Sequence, residues 1–221
     1  METNNSLIKL ENITFGYPSR PYVLDKLNFN FCKGERIGLV GANGSGKTTL
    51  FHIIMGLLKP LKGKIEIFGK SRTTESDFKE IRKKIGFLFQ DADDQLFCPT
   101  VAEDIAFGPL NLGRTHDETK KIVKETLETL GLNGFEERIT YNLSWGEKKL
   151  VSLATVLAMK PEVLLLDEPT SGLDEDTTER IIEVLNNDQT LSYIIISHDR
   201  ELLERTTICI YKVNGRKIEK I

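Results

Sequence analysis

The chain has 221 residues, enough for one large domain or two small ones with a proper hydrophobic core. Hydrophobic residues make up 39% and charged residues 29%, as in an ordinary soluble globular protein, and the net charge of −3 gives no global basic field to attract nucleic acid. The three cysteines lack CxxC spacing, which argues against a disulfide framework or a zinc site and indicates a reducing cytosol. No apolar run approaches the roughly 18 residues that span a bilayer, so any membrane role would depend on partners.

The first 90 residues predict several strands and two helices. The strands are indicated by alternating or short β-branched runs at SLIKLENITF (6–15), LNFNF (27–31), ERIGLV (35–40), GKIEIFG (63–69) and KIGFLF (84–89). One helix should follow Gly46, with a single apolar stripe made by Leu50, Ile53, Ile54 and Leu57. A charged helix should fill 75–83.

The pattern becomes mainly helical from Thr100 to Lys160. One helical stripe is formed by Ile122, Val123, Leu127 and Leu130, with Gly131 as the expected C-terminal cap. The runs VLLLD (163–167) and SYIIIS (192–197) are typical of strands buried on both faces of a parallel sheet. Strands that alternate with helices predict an α/β fold, with a helical insert at roughly 91–160 and no linker dividing the chain.

The segment GANGSGKT (41–48) matches the phosphate-binding loop pattern G-x-x-x-x-G-K-[ST] and lies between a predicted strand and a predicted helix. Its glycines allow backbone N–H groups to turn toward phosphates at a helix N-terminus. Lys47 would reach the β- and γ-phosphates, and the Thr48 hydroxyl would bind Mg²⁺. The predicted nucleotide-binding residues of this segment are Gly41, Asn43, Gly44, Ser45, Gly46, Lys47, Thr48 and Thr49.

Two acidic residues follow a buried strand in VLLLDE (163–168). Asp167 is placed to hold Mg²⁺ through water, and Glu168 is a candidate general base for the attacking water. Glu168 could alternatively be a solvated acid at a strand end. The absence of an NKxD-like tetrapeptide weakens the GTPase alternative.

In this order, GANGSGKT, Gln90, LSWGE (143–147), VLLLDEPTSGLD (163–174) and His198 resemble the ATP-binding cassette (ABC) family over essentially the whole chain. The resemblance implies a P-loop NTPase core with a mainly parallel sheet, an N-terminal antiparallel β subdomain and a helical subdomain. These parts would form a single ATP-binding domain over 1–221, with the helical subdomain at roughly 91–160. ATP and Mg²⁺ are the implied cofactors.

Family roles can be assigned to the matching positions. Tyr17 would stack on adenine, although it could simply pack a turn beside Pro18. Gln90 would sense Mg²⁺ and the attacking water, and would couple the site to a transmembrane partner. His198 would contact the γ-phosphate, although a lone histidine is often a surface or capping residue, and Asp174 would lie across a dimer interface.

LSWGE resembles the signature segment that completes a nucleotide site on the opposite subunit. Ser144 would present its hydroxyl, and Gly146 its N–H, to the γ-phosphate. S-x-x-E is also a capping box, and the two interpretations are compatible because a capped helix start aims the donors. Trp145 replaces the usual first glycine, and Leu150 stands where arginine is common. We expect Trp145 to pack against the facing subunit or a nearby loop.

FLFQDADDQLFCPTVAEDIAFGPLNLG (87–113) is similar to the energy-coupling-factor group, which includes cobalt, nickel and vitamin importers. The expected function is therefore an ATPase subunit that energises such an importer at the cytoplasmic face of the membrane. Region Gln90–Phe97 would dock a transmembrane coupling protein and its substrate-binding membrane subunit. A second cassette, identical or not, is also expected. The chain ends at KVNGRKIEKI (212–221), so dimerisation should rest on ATP and the membrane partner.

Two alternatives remain open from the sequence. The first is a soluble ABC ATPase that acts on nucleic acid or ribosomes, although no second cassette, coiled coil or zinc insertion is present and no nucleic-acid partner is expected. The second is a catalytically silent cassette that binds ATP as an assembly clamp. Glu168 and His198 argue against the silent cassette, whereas Trp145 weakly favours it.

Overall fold

The computed structural model describes residues 5–188 and 190–221. In these ranges the strands are β1 (Ser6–Tyr17), β2 (Arg20–Cys32), β3 (Arg36–Val40), β4 (Lys62–Ile67), β5 (Lys70–Ser71), β6 (Ile85–Leu88), β7 (Val163–Asp167), β8 (Ser192–Ile196), β9 (Cys209–Val213) and β10 (Ile218–Lys220). The helices are α1 (Lys47–Ile54), α2 (Glu75–Ile81), α3 (Val101–Asn111), α4 (His116–Thr129), α5 (Trp145–Leu157), α6 (Glu175–Asn187) and α7 (Arg200–Thr206).

A six-stranded sheet forms the centre of the molecule, in the order β10-β9-β3-β8-β7-β6. Its strands are parallel except for β10, which runs antiparallel to β9. Every residue of β7 and β8 is buried, and successive side chains enter opposite cores. Val163 and Leu165 pack on the side of the antiparallel sheet, whereas Leu164 and Leu166 pack under the helices. The prediction of parallel strands buried on both faces is confirmed.

A separate antiparallel sheet, in the order β2-β1-β4-β5, covers one face of this centre. Leu27, Phe29 and Phe31 point into the core, in agreement with the alternation of LNFNF. The strand itself extends over Arg20–Cys32, well beyond the predicted 27–31, because it keeps pairing with β1 across several register shifts. Such bulges interrupt the period-two pattern by which a strand is identified from sequence.

The predicted stripe on the helix after Gly46 is wrong at its last member. Helix α1 ends at Ile54, and Leu57 lies beyond it with 48% of its surface exposed. The helix stops in a Schellman turn, in which the N–H of Leu57 donates to the His52 carbonyl at 2.8 Å. Gly56 occupies the left-handed conformation there (φ 69°), and the Phe78 ring packs so closely that a β-carbon would not fit.

The segment between 91 and 160 contains α3, α4 and α5, and these helices pack with the second face of the central sheet. Helix α4 ends as predicted, with Gly131 at φ 66° after the last turn and Leu127 and Leu130 buried. Helix α2 begins with a capping box at Thr74 and ends two residues before the predicted 83. None of the helices in the described part is long and apolar enough to span a bilayer.

The topology gathers the chemically important loops at one edge. Strands β3, β8, β7 and β6 are consecutive neighbours and all run in the same direction. Their carboxyl ends therefore bring together the residues that follow Val40, Ile196, Leu166 and Leu88. Open parallel sheets bind ligands at this edge.

Candidate active site

The loop after β3 leads directly into α1 and leaves the helix N-terminus open. No side chain caps this terminus, and the first turn carries no acidic residue. Gly44 and Gly46 have φ values of 75° and 99°, which favour glycine, and a β-carbon on Gly46 would come within 2.6 Å of Leu24. Backbone N–H groups at such a terminus are a site for anions, so the loop is suited to phosphate groups.

Lys47 folds back over this loop. Its ammonium donates to the carbonyl oxygens of Gly41 at 2.7 Å and Ala42 at 3.3 Å. Burial lowers its pKa from the ordinary value, and the carboxylates of Glu168 and Asp167 oppose that shift. The charge therefore lies over the open helix terminus, where it can meet phosphate oxygens.

Asp167 is the last residue of β7 and is almost completely buried. Its Oδ2 has no hydrogen-bond partner among the described residues. Burial raises the pKa of this carboxyl, while a hydrogen bond with the Thr48 hydroxyl opposes the shift. Mg²⁺ prefers oxygen ligands and is commonly held by one or two carboxylates together with substrate phosphates. A buried carboxylate oxygen that lacks a partner beside a threonine hydroxyl fits this ion.

Glu168 follows in the left-handed conformation, with φ 47°. Its carboxylate lies between the strand ends, where Oε1 is 3.5 Å from Nε2 of His198 and Oε2 accepts from the His198 N–H at 3.4 Å. Burial raises the pKa of this carboxyl, and the His198 side chain opposes the shift. The side chain of Glu168 is 13% exposed and that of His198 is 55% exposed, so the pair faces an opening rather than the core.

These groups surround a cavity of about 620 Å³. The predicted site residues that line it are Tyr17, Asn43, Gly44, Gly46, Lys47, Thr48, Thr49, Gln90, Asp167, Glu168 and His198. The hydroxyl of Tyr17 lies 3.2 Å from that of Thr49, and its ring packs edge-on against Phe15. A half-exposed aromatic ring at the rim is available for stacking on a base. Gly41 and Ser45 do not line the cavity, and a β-carbon on Gly41 would come within 2.8 Å of the Ser45 hydroxyl.

Lys149 is a residue of this region that the sequence analysis missed. It is fully buried, and its ammonium donates to the carbonyls of Phe89 at 2.9 Å and Gln90 at 2.8 Å. Burial lowers its pKa to about 8, with Asp167 opposing. The available signal was a lysine one turn after Trp145 and next to the buried pair Leu150 and Val151.

A second group of predicted residues does not line the cavity: Ser144, Gly146 and Asp174. Ser144 caps α5, accepting from the Glu147 N–H, while Glu147 accepts from the Ser144 N–H; the predicted capping box is confirmed. Asp174 caps α6 through the Thr177 N–H at 2.8 Å. Trp145 packs against a nearby loop, as expected, because its Nε1 donates to the Ser171 carbonyl at 3.2 Å.

Comparison with known proteins agrees with this architecture. A family model described as ABC transporter matches residues 24–171. The chain belongs to the ABC transporter family. It is an ABC ATPase, with the phosphate-binding loop, Gln90, the signature segment and Glu168 all within the matched residues.

Two curated relatives illustrate how close the similarity is. A putative ABC transporter ATP-binding protein of Nitratidesulfovibrio vulgaris is 51% identical over 205 residues, covering 92% of this chain and 75% of the relative. The energy-coupling factor transporter ATP-binding protein EcfA of Methanocaldococcus jannaschii is 43% identical over 217 residues, covering 97% and 78%.

Solved ABC cassettes share the fold. CbiO1 of Clostridium perfringens, described as part of the ABC transporter complex CbiONQ, matches with a TM-score of 0.85 at 33% identity and covers 97% of this chain and 87% of its own. A cassette solved as a dimer in a post-hydrolysis state with ADP and phosphate matches with a TM-score of 0.86 at 29% identity, covering 96% of each chain.

Proposed function

We propose that this ABC ATPase powers a membrane importer of the energy-coupling-factor type. The observation that carries the paired-ATPase part of the proposal is the division of the predicted site into two parts. One part surrounds the cavity at the strand ends, and the other, formed by Ser144, Gly146 and Asp174, lies outside it. Each chain would carry halves of two different nucleotide sites. A complete site would then form only when a second cassette faces the first.

The first half-site would hold ATP and Mg²⁺. The N–H groups of the 41–48 loop and the Lys47 ammonium would bind the phosphates, and Tyr17 would stack on the base. Thr48, Asp167 and Gln90 would hold Mg²⁺. When bound, the ion neutralises charge on the β- and γ-oxygens. The buried, partnerless oxygen of Asp167 supports this assignment.

Glu168 would accept the proton of the attacking water, since its carboxylate lies beside His198 at the mouth of the cavity. His198 would orient that carboxylate and contact the γ-phosphate. Lys47 would stabilise the negative charge that develops on the transferring group. Each role uses a contact or a charge that already exists in the protein.

The second half-site would act on the nucleotide of a facing cassette. Ser144 is exposed at the start of α5, where its hydroxyl and the N–H of Gly146, held in place by the capping box, can meet a phosphate. The dimeric cassette with ADP and phosphate supports a paired arrangement. The second cassette would be another copy of this chain or a different one.

The membrane partners would dock on region Gln90–Phe97 at the cytoplasmic face of the cell membrane. Phe97 is 65% exposed and stacks edge-on with the half-exposed Phe107, their ring centroids 4.8 Å apart. The loop that carries Phe97 is held by the buried carboxylate of Asp104, which accepts from the N–H groups of Phe97 at 3.1 Å and Cys98 at 3.0 Å. An exposed aromatic pair, with Phe97 on a fixed loop and Phe107 on α3, is a typical anchor for a protein partner.

We infer that these partners are a transmembrane coupling protein and a small substrate-binding membrane subunit. The names of the EcfA and CbiO1 relatives support this inference. Cobalt, nickel and vitamins form the cargo class that the resemblance of the 87–113 segment favours. The cargo itself would be recognised by the membrane subunit.

The test is purification of the chain from native membranes in mild detergent, with bound proteins identified by mass spectrometry. We expect a transmembrane coupling protein and a small membrane subunit to co-purify. Phe97→Ser should reduce their recovery about tenfold or more, because burying a phenylalanine side chain on docking contributes roughly 1.5–3 kcal/mol. Leu61→Ser is the matched control, since Leu61 is 68% exposed and its N–H donates to the Thr14 carbonyl of the antiparallel sheet. Recovery of only ribosomal or DNA-associated proteins would instead support the nucleic-acid alternative.

A further inference from the structure

Trp145 joins two parts of the chain that the proposed mechanism treats separately. The indole belongs to the first turn of α5, and its Nε1 donates to the Ser171 carbonyl at 3.2 Å. Gly172, at φ 74°, lies so close that a β-carbon there would be 3.4 Å from Nε1. The side chain is therefore packed on the 171–172 turn of its own chain, while 42% of the residue remains exposed.

The turn that Trp145 contacts begins at the candidate base. The Ser171 N–H donates to the Glu168 carbonyl at 3.3 Å, which closes a tight turn over residues 168–171. The Thr170 hydroxyl lies 3.5 Å from the Asp199 carboxylate, next to His198. Glu168 and His198 are therefore connected to Ser171 by one short, hydrogen-bonded segment, along which a displacement can be transmitted.

A second attachment lies on the same face of α5. Lys149 is four residues after Trp145, so both side chains project to one side of the helix. Its ammonium holds the carbonyls of Phe89 and Gln90. Trp145, Gln90, Asp167 and Ser171 together line a cavity of about 640 Å³. The first turns of α5 are thus fixed to both loops that border Asp167.

We propose that Trp145 is a positioning residue, which holds the Ser144–Gly146 turn to the chain's own 168–171 turn. The nucleotide in one site then sets the position of the donors that the same cassette offers to the other site. A glycine at 145, the residue of the signature pattern, has no side chain to make this link. The inference rests on the proposed function, because it requires two sites that share each cassette.

The link can be followed by fluorescence, since Trp145 is the only tryptophan in the chain. In a Glu168→Gln background, which should retain ATP, we expect addition of ATP and Mg²⁺ to shift the emission of Trp145 at protein concentrations too low for two copies to pair. The same addition to Glu168→Gln/Lys47→Ala should produce no shift. If ATP binds and the emission spectrum of Trp145 does not change, the proposal is contradicted, because the indole would then not respond to nucleotide in the site of its own chain.

Kinetics test the consequence. Trp145→Phe keeps a ring but removes the Nε1 donor, and it should lower kcat for ATP about three- to tenfold, the usual effect of one net hydrogen bond. ATP affinity, measured by direct binding, should stay within about twofold, since the 41–48 loop is untouched. Trp145→Gly should lower kcat further. Tyr141→Phe is the matched control, because this 85% exposed ring loses one polar atom close to the same turn, and its kcat should not change.

Equal kcat in Trp145→Phe, Trp145→Gly and the unmodified protein would overturn the proposal. A parallel loss of ATP affinity in Trp145→Phe would also overturn it, because the residue would then support its own binding loop rather than α5. Failure of the proposed function has a different signature: Lys47→Ala would bind ATP normally, whatever the Trp145 variants do.

Discussion

Glu168 shows what a single residue contributes to this site. It adopts the left-handed conformation at φ 47°, which costs a residue other than glycine about 1–2 kcal/mol. The surroundings hold it there, because its N–H donates to the Ile196 carbonyl at 2.9 Å and its carboxylate pairs with His198. The conformation turns the carboxylate out of β7 toward the cavity, whereas Asp167 stays buried at the strand end.

We therefore expect Glu168→Gln to bind ATP with little change and to slow turnover by roughly 10²–10⁴, the scale of general base catalysis. Glutamine keeps an oxygen for the His198 N–H but does not accept the proton. The measurement is steady-state phosphate release at saturating ATP, together with a binding titration. Glu162→Gln is the control, since Glu162 is an exposed glutamate just before β7, at its opposite end. Normal turnover in Glu168→Gln would place the base elsewhere.

At the scale of elements, α4 and α5 begin with the same device. Thr115 accepts from the Glu118 N–H at 3.3 Å, and Glu118 accepts from the Thr115 N–H at 2.8 Å. Ser144 and Glu147 repeat this capping box at the same distances. Hydrogen bonding alone therefore does not distinguish a structural cap from a cap that also presents a hydroxyl to nucleotide.

Substitution distinguishes them. Ser144→Ala and Thr115→Ala should each lower the free energy of unfolding by about 1 kcal/mol, because each leaves a helix N–H without its side-chain acceptor. Only Ser144→Ala should also lower ATP turnover. Urea denaturation gives the stability change, and phosphate release gives the activity. If the two variants lose turnover equally, the Ser144 hydroxyl acts only as a cap.

At the scale of the whole molecule, the central sheet separates two cores. The antiparallel sheet, α1 and α2 pack on one face, and α3 to α7 pack on the other. The phosphate-binding loop is attached to the first core and the signature turn to the second. ATP bound between two cassettes would therefore connect the first core of one copy with the second core of the other.

We expect the Glu168→Gln chain to change from one copy to two when ATP and Mg²⁺ are added, because bound nucleotide would supply the contacts that close each shared site. Sedimentation velocity measures the change. Glu168→Gln/Lys47→Ala should remain a single copy under the same conditions, since it lacks the phosphate-binding ammonium. A double variant that still pairs would show that the copies associate without nucleotide.

Features of this protein that depend only on neighbouring residues follow from the sequence. The order of residues in GANGSGKT predicts a strand, a phosphate loop and a helix, because glycine, lysine and threonine have these roles at fixed spacing. The short apolar runs at 163–167 and 192–197 predict strands buried on both faces, and both strands are buried in this way. Gly131 ends α4 because glycine enters the left-handed region at low cost. The prediction for Leu57 is wrong because the apolar spacing continues past Gly56, where the left-handed glycine ends the helix in a Schellman turn.

Contacts between residues far apart in the chain follow from the arrangement of the strands. The strand order places the loops after β3, β8, β7 and β6 side by side, so that Lys47, Asp167 and His198 surround one cavity. Lys149 looks in sequence like a solvated lysine, yet the fold buries it against two carbonyls. The partner of Trp145, the Ser171 carbonyl, is 26 residues away. Sequence spacing fixes contacts within a turn, whereas contacts between turns depend on the sheet that carries them.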